Sequence, residues 1–237
     1  MLLRAYLPKL ITALFGGLFI AAGIITFNDA VLFDRIFLGV LIFTAVICRK
    51  DVDVLGVIII IFLTRAVEEL VWLNLNESGF IKLLIYLACL SISFYLRHDW
   101  ASKIFLGVSL LTSFIEIYWL SIEYDPPEIY WNMILVAITL ISRNLIFSRV
   151  SITEHYFKKF QPKSINLDWI IYKLFGLSLI IQIIVVLEYV VRHLFDLPKL
   201  VIFYYASVYA IRAIGTLSIW AIFNESYKQL APKFLKA

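Results

Sequence analysis

A few charged and amide side chains stand inside segments that are otherwise oil. Glu69, Glu116 and Glu188 recur at one depth, in the outer third of odd-numbered apolar runs. With a rise of about 1.5 Å per residue, each lies roughly 10 Å below the expected outer surface. Arg65, Arg212 and Gln182 lie nearer mid-depth. Charge in hydrocarbon is costly, so every such group needs a partner, a cavity or a task. Three carboxylates at one level would form an outward acidic vestibule that concentrates cations or relays protons. Rings of carboxylates are a recurring device for cation selection. Arg65 and Arg212 would then act as midplane counter-charges, with Gln182 beside them. The competing reading is pairing for packing. Arg65 with Glu69, and Glu188 with Arg192, are spaced i,i+4 and can share a helix face. Glu116 would meet Arg212 between helices, while Arg143 snorkels inward and Arg192 outward.

A second cluster closes one run: Arg192, His193 and Asp196 follow Glu188 within two turns. It suits an anionic headgroup or a metal at the outer surface. It equally suits a helix end whose dipole is complemented by cations. Catalytic motifs are absent: there is no HExxH, no GxSxG and no phosphate-cradling glycine loop. His98 and His155 fall on one expected side and His193 on the other. Cys48 and Cys89 show no CxxC or Cys/His spacing, so neither a disulfide framework nor a metal or other cofactor is implied.

The elements that must position these residues follow from composition. The 237 residues are 62% hydrophobic and 16% charged, with mean hydropathy +0.93. Soluble domains are about half apolar and roughly a quarter charged. That excludes a soluble enzyme, a disordered tail and a nucleic-acid-binding module. The chain reads as one all-α polytopic transmembrane domain over 1–237. Eight runs reach the roughly 20 apolar residues that cross about 30 Å of hydrocarbon. They cover 9–27, 30–48, 54–75, 80–96, 102–123, 129–147, 168–192 and 199–223. The first has no Ala-x-Ala site after it and reads as a retained helix rather than a signal peptide. All six prolines fall outside or at the ends of the runs. Asp99 and Asp168, each followed by Trp, read as N-caps.

Lys and Arg set the orientation. Arg4, Lys9, Arg49, Lys50, Arg97, Lys103, Arg149, Lys158, Lys159, Lys163, Lys228, Lys233 and Lys236 gather on one side. Arg35, Lys82, Arg192 and Lys199 lie on the other. The positive-inside rule puts both termini in the cytoplasm, in an inner or plasma membrane. The stretch 148–167 reads as a cytoplasmic amphipathic loop, pressed on lipid headgroups or docking a protein partner. Its contact residues are Arg149, Lys158, Lys159 and Lys163. Ala13, Gly17 and Ala21 form a small-residue ridge that suits close helix contact, with this chain, a second copy or another protein. Four copies of one helical hairpin are suggested by similar openings, Asp99-Trp100 through Gly107 and Asp168-Trp169 through Gly176. The ordinary alternative is that capped helices of similar length look periodic.

The first functional expectation is a channel- or transporter-like protein for cations or protons. The alternative is a structural or signalling subunit of a membrane complex. An intramembrane lipid-modifying enzyme using Glu188 and His193 is the third. Beyond the lipid bilayer, the partners are a cation or proton, or a protein; nucleic acid is not expected.

Overall fold

The computed structural model describes the backbone of residues 17–18, 21–22, 24–26, 29–49, 51–74, 79–124, 129–158 and 161–235. It describes their side chains except at 30, 47, 72–74, 79–80 and 226–235. Among the described residues there are seven α-helices and no strands. They are α1 (Ala30–Ile47), α2 (Val52–Asn74), α3 (Gly79–Tyr95), α4 (Trp100–Ser121), α5 (Ile129–Tyr156), α6 (Asn166–Leu194) and α7 (Ile202–Leu235). Residues 17–18, 21–22 and 24–25 are also helical, within the first expected span.

Among the described residues, four helices have the length and apolarity of a membrane crossing: α4, α5, α6 and, over Ile202–Glu225, α7. These make the chain a helical membrane protein. The eight-run count is finer than this. Helix α3 has 17 residues, and α2 carries Asp53, Arg65, Glu68 and Glu69.

Local chemistry fixes the helix starts. Asp29 accepts the Leu32 amide at 3.0 Å and caps α1. Asp99 accepts the Ala101 amide at 3.1 Å and caps α4, as its sequence position foretold. Asp168 differs. Helix α6 begins at Asn166, so Asp168 lies in the first turn and reaches back to the Ile165 amide at 3.0 Å. That is the acidic half of a capping box. Several buried hydroxyls are satisfied inside their own helices. Thr44, Thr112 and Thr139 each donate to the carbonyl four residues back. Such back-bonding lets threonine sit in apolar surroundings.

Two spans end elsewhere than expected. Helix α5 does not stop at 147 but runs to Tyr156, so the loop before α6 shrinks to 157–165. No Pro or Gly interrupts 148–156, and the Thr153 hydroxyl bonds back to the Arg149 carbonyl at 2.9 Å. Helix α7 passes 223 and carries Pro232 near its C-terminal end.

The chain divides into two compact units. Unit 1 takes in 1–63, 145–174 and 211–237. Unit 2 takes in 64–144 and 175–210. Unit 1 buries Phe33, Phe37, Leu41, Val57, Ile61, Ile146 and Ile171. Unit 2 has a larger core from α3 to α6, including Phe105, Trp119, Met133, Leu140, Leu179 and Val186. Many large apolar side chains remain exposed, among them Phe94, Phe114, Leu120, Phe147 and Phe203. In water such a surface would aggregate. Against acyl chains it is the expected exterior.

Candidate functional site

The three glutamates have three different surroundings, all in unit 2. Glu69 is exposed on α2. Its expected partner Arg65 instead pairs with Glu68, Nη1 to Oε2 at 2.9 Å. The i,i+3 spacing serves as well as i,i+4 on a helix surface. Glu116 is buried on α4. The Tyr86 hydroxyl donates to its Oε2 at 3.4 Å, and Lys82 Nζ lies 4.0 Å from its Oε1. Those α3 groups replace the expected Arg212, which is half-buried on α7 in unit 1. Glu188 does not pair with Arg192. Its Oε1 accepts the Phe203 amide at 2.9 Å and its Oε2 the Tyr204 amide at 2.6 Å. The first amides of α7 have no intrahelical acceptor, and a carboxylate there also meets the positive end of the helix dipole. Gln182 is half-buried, and its Oε1 has no hydrogen-bond partner among the described residues.

Two buried arginines of α5 form nodes that sequence reasoning missed. Arg149, expected as a basic contact of a loop, is 2% exposed within unit 1. Its Nε and Nη2 hold Asp168 Oδ1 and Oδ2 at 2.6 and 2.8 Å, a two-pronged pair. Nη1 donates to Asp53 Oδ1 at 3.0 Å, and Nη2 also donates to the Lys163 carbonyl at 2.7 Å. The Lys163 amide in turn donates to Asp53 at 2.9 Å. One guanidinium thus ties the starts of α2 and α6 to the end of the connecting loop. In unit 2, Arg143 pairs with the capping carboxylate of Asp99 and lies 5.3 Å from the Trp100 ring centroid. Each arginine lies against a glycine. A Cβ at Gly56 would stand 3.1 Å from Arg149 Cδ, and one at Gly176 would stand 3.3 Å from Arg143 Nε. The visible trace of both nodes was the pair of Asp-Trp helix openings, since each aspartate receives an α5 arginine.

The cluster expected at the outer surface gains a rim of aromatic side chains. Arg192, His193 and Asp196 line a cavity of about 630 Å³ in unit 2, together with Tyr118, Trp119 and Tyr124. His193 Nδ1 lies 2.9 Å from the Tyr189 carbonyl. Its ring stacks on Tyr189 at 4.2 Å and meets Trp119 edge-on at 5.9 Å. Arg192 lies over the Tyr189 ring at 5.4 Å and makes no ion pair with a carboxylate among the described residues. Asp196 sits at φ +50 in the turn after α6, where the Leu197 amide returns to the Arg192 carbonyl at 2.9 Å. None of Glu69, Glu116 and Glu188 lines this cavity. The aromatic rim was not foreseen: Tyr118 and Trp119 end α4, far from His193 in sequence.

Of the other contact residues, Gly17 and Ala21 are exposed, and a Cβ at Gly17 would meet nothing within 4 Å. Lys158 and Lys163 have exposed side chains. Ala13 and Lys159 lie outside the described residues. Among the described residues no group of three His, Cys, Asp or Glu side chains is placed to hold a metal. No protein-family model, curated protein or solved structure matches the chain.

Proposed function

We propose that this helical membrane protein is transport-like and loads its solute at the cavity formed by Tyr118, Trp119, Tyr124, Arg192, His193 and Asp196. One observation carries the reading. A roomy recess holds a guanidinium with no carboxylate partner, an imidazole and a carboxylate, whereas Glu116 and Glu188 are bound within the fold. Ligand sites combine an apolar or aromatic wall with a few convergent polar groups. The distribution of Lys and Arg supports an outward-facing mouth. Protons and small cations are the first fluxes to test, as the solute or as the ion that travels with it, with Glu69 as the exposed carboxylate of the three.

Two measurements test this. Cys48 and Cys89 are buried, so a Leu194→Cys variant offers one accessible thiol at the cavity. A membrane-impermeant maleimide added to intact cells labels it if the cavity opens outward. Purified protein in liposomes then carries proton or cation flux that Leu194→Trp, which fills the cavity, reduces. Absent flux, or flux untouched by Leu194→Trp, overturns the reading. Flux lost only in a Glu69/Glu116/Glu188→Gln triple variant returns the role to the acidic residues.

A membrane-complex subunit is the second reading. The open surface at Gly17 and Ala21 favours it. Recovery of a stoichiometric partner in mild detergent supports that reading, and a partner-free monomer opposes it. The lipid-modifying enzyme has less support, because both carboxylate oxygens of Glu188 accept backbone amides.

A further inference from the structure

We infer that the Arg192 cavity recognises a zwitterion carrying an oxyanion and an ammonium group. The inference rests on the loading-site reading above and names the ligand class of that site.

The argument starts from charge. Arg192 and Asp196 line the same recess, yet they form no ion pair with each other. Opposite charges four residues apart often pair when both lie on one helix face. Here the helix does not continue between them. The helix ends at Leu194, the Leu197 amide turns back to the Arg192 carbonyl, and Asp196 takes the left-handed conformation. Arg192 is held over the Tyr189 ring instead. The cavity therefore presents both signs at separate places.

The remaining lining suits the same ligand. His193 is fixed by its ring stack on Tyr189 and by its Nδ1 contact with the Tyr189 carbonyl, which leaves Nε2 as its other polar atom. The Arg192 guanidinium donors suit phosphate or carboxylate oxygens, and His193 Nε2, with the Nδ1 proton on the Tyr189 carbonyl, is placed to accept from an ammonium. Asp196 suits an ammonium, and the faces of Tyr118, Trp119 and Tyr124 attract a cation electrostatically. An anion alone would meet Asp196 as a repulsive neighbour. A cation alone would meet Arg192. Only a ligand with both charges satisfies both side chains. A phosphoethanolamine headgroup on a lipid has this chemistry, and so does free phosphoethanolamine or an amino acid.

The experiment is equilibrium dialysis of labelled phosphoethanolamine against the full-length chain in nanodiscs of phosphatidylglycerol. The probe binds, and neither inorganic phosphate nor ethanolamine alone competes as well as unlabelled probe. Arg192→Gln weakens binding by about tenfold to a hundredfold, the loss expected for a charge-assisted hydrogen bond. Asp196→Asn, which keeps a residue type that tolerates positive φ, shifts the preference toward inorganic phosphate. Repeating the titration in phosphatidylethanolamine nanodiscs separates the sources. Loss of probe binding there assigns the site to lipid headgroups, and unchanged binding assigns it to a soluble zwitterion. Failure to bind at millimolar probe, equal binding in Arg192→Gln, or full competition by phosphate alone overturns the inference. Cavity labelling and Leu194→Trp-sensitive flux that persist alongside such a failure leave the loading site standing and remove only the zwitterion.

Discussion

Arg149 and Arg192 are the same side chain in opposite situations. Arg149 makes four hydrogen bonds, to two carboxylates and a carbonyl, and is almost wholly buried. Arg192 stands on a cavity wall with an aromatic ring beneath it and no carboxylate partner among the described residues. A buried charge whose hydrogen bonds go to protein carboxylates has little capacity left for a ligand. A charge left open beside a recess keeps its donors for water or a ligand. The difference separates structural charge from functional charge, and charge count alone does not.

The largest effect expected from breaking this contrast is at Arg149. Arg149→Gln strands Asp53 and Asp168, and losing one partner of a buried ion pair costs about 3 to 5 kcal/mol. Unfolding of the variant by denaturant titration in detergent should show a loss of that size. Arg149→Lys keeps the charge but not the two-pronged geometry, so it recovers only part. A wild-type midpoint in Arg149→Gln would mean the node contributes nothing to the fold.

Next comes Glu188. Glu188→Gln loses the charge that accepts two amides at the start of α7, a cap-like contact that contributes about 1 to 2 kcal/mol. Glu69→Gln, on an exposed side chain, should fall within about 0.5 kcal/mol of wild type. A similar loss in both variants would show that membrane depth, rather than hydrogen bonding, decides the cost.

The two glycine notches give a smaller and more local effect. Alanine is favoured over glycine in a helix by about 1 kcal/mol. At Gly56 that gain should be cancelled or reversed, because the added Cβ presses on an arginine held by four hydrogen bonds. At Gly176 the contact is looser, at 3.3 Å against 3.1 Å, so Gly176→Ala should be neutral or slightly stabilising. Equal midpoints for the two alanine variants would mean Arg149 is less constrained than its bonds suggest.

Much of the helical architecture was legible because it follows from local rules. The apolar runs gave the helical membrane class, and Asp99 was recognisable as a cap from its place before a helix. The partners of charges were not legible, because they depend on which helix faces meet. Glu116 chose Tyr86 and Lys82 over Arg212, and Glu188 chose backbone amides, which no side-chain pattern advertises. The end of α5 was misplaced because 148–156 is polar enough to read as a loop. Its inward face is kept in the helix by Arg149, whose aspartates lie 19 and 96 residues away. Arg192, His193 and Asp196 were visible as a cluster, but Tyr118 and Trp119 join it only through folding.

Only a small effect on stability is expected at Arg192, and it sharpens the contrast most. Arg192→Gln removes one cation over an aromatic ring, a contact that contributes about 0.5 to 1 kcal/mol at a solvent-accessible site. It strands no buried carboxylate, since Asp196 is exposed and makes no pair with Arg192. The unfolding midpoint should therefore move far less than in Arg149→Gln, while occupancy of the cavity drops. An added zwitterion should raise the wild-type midpoint by mass action and leave Arg192→Gln unmoved at the same concentration. If Arg192→Gln instead unfolds as readily as Arg149→Gln, then Arg192 belongs with the structural charges and the cavity loses its principal binding group.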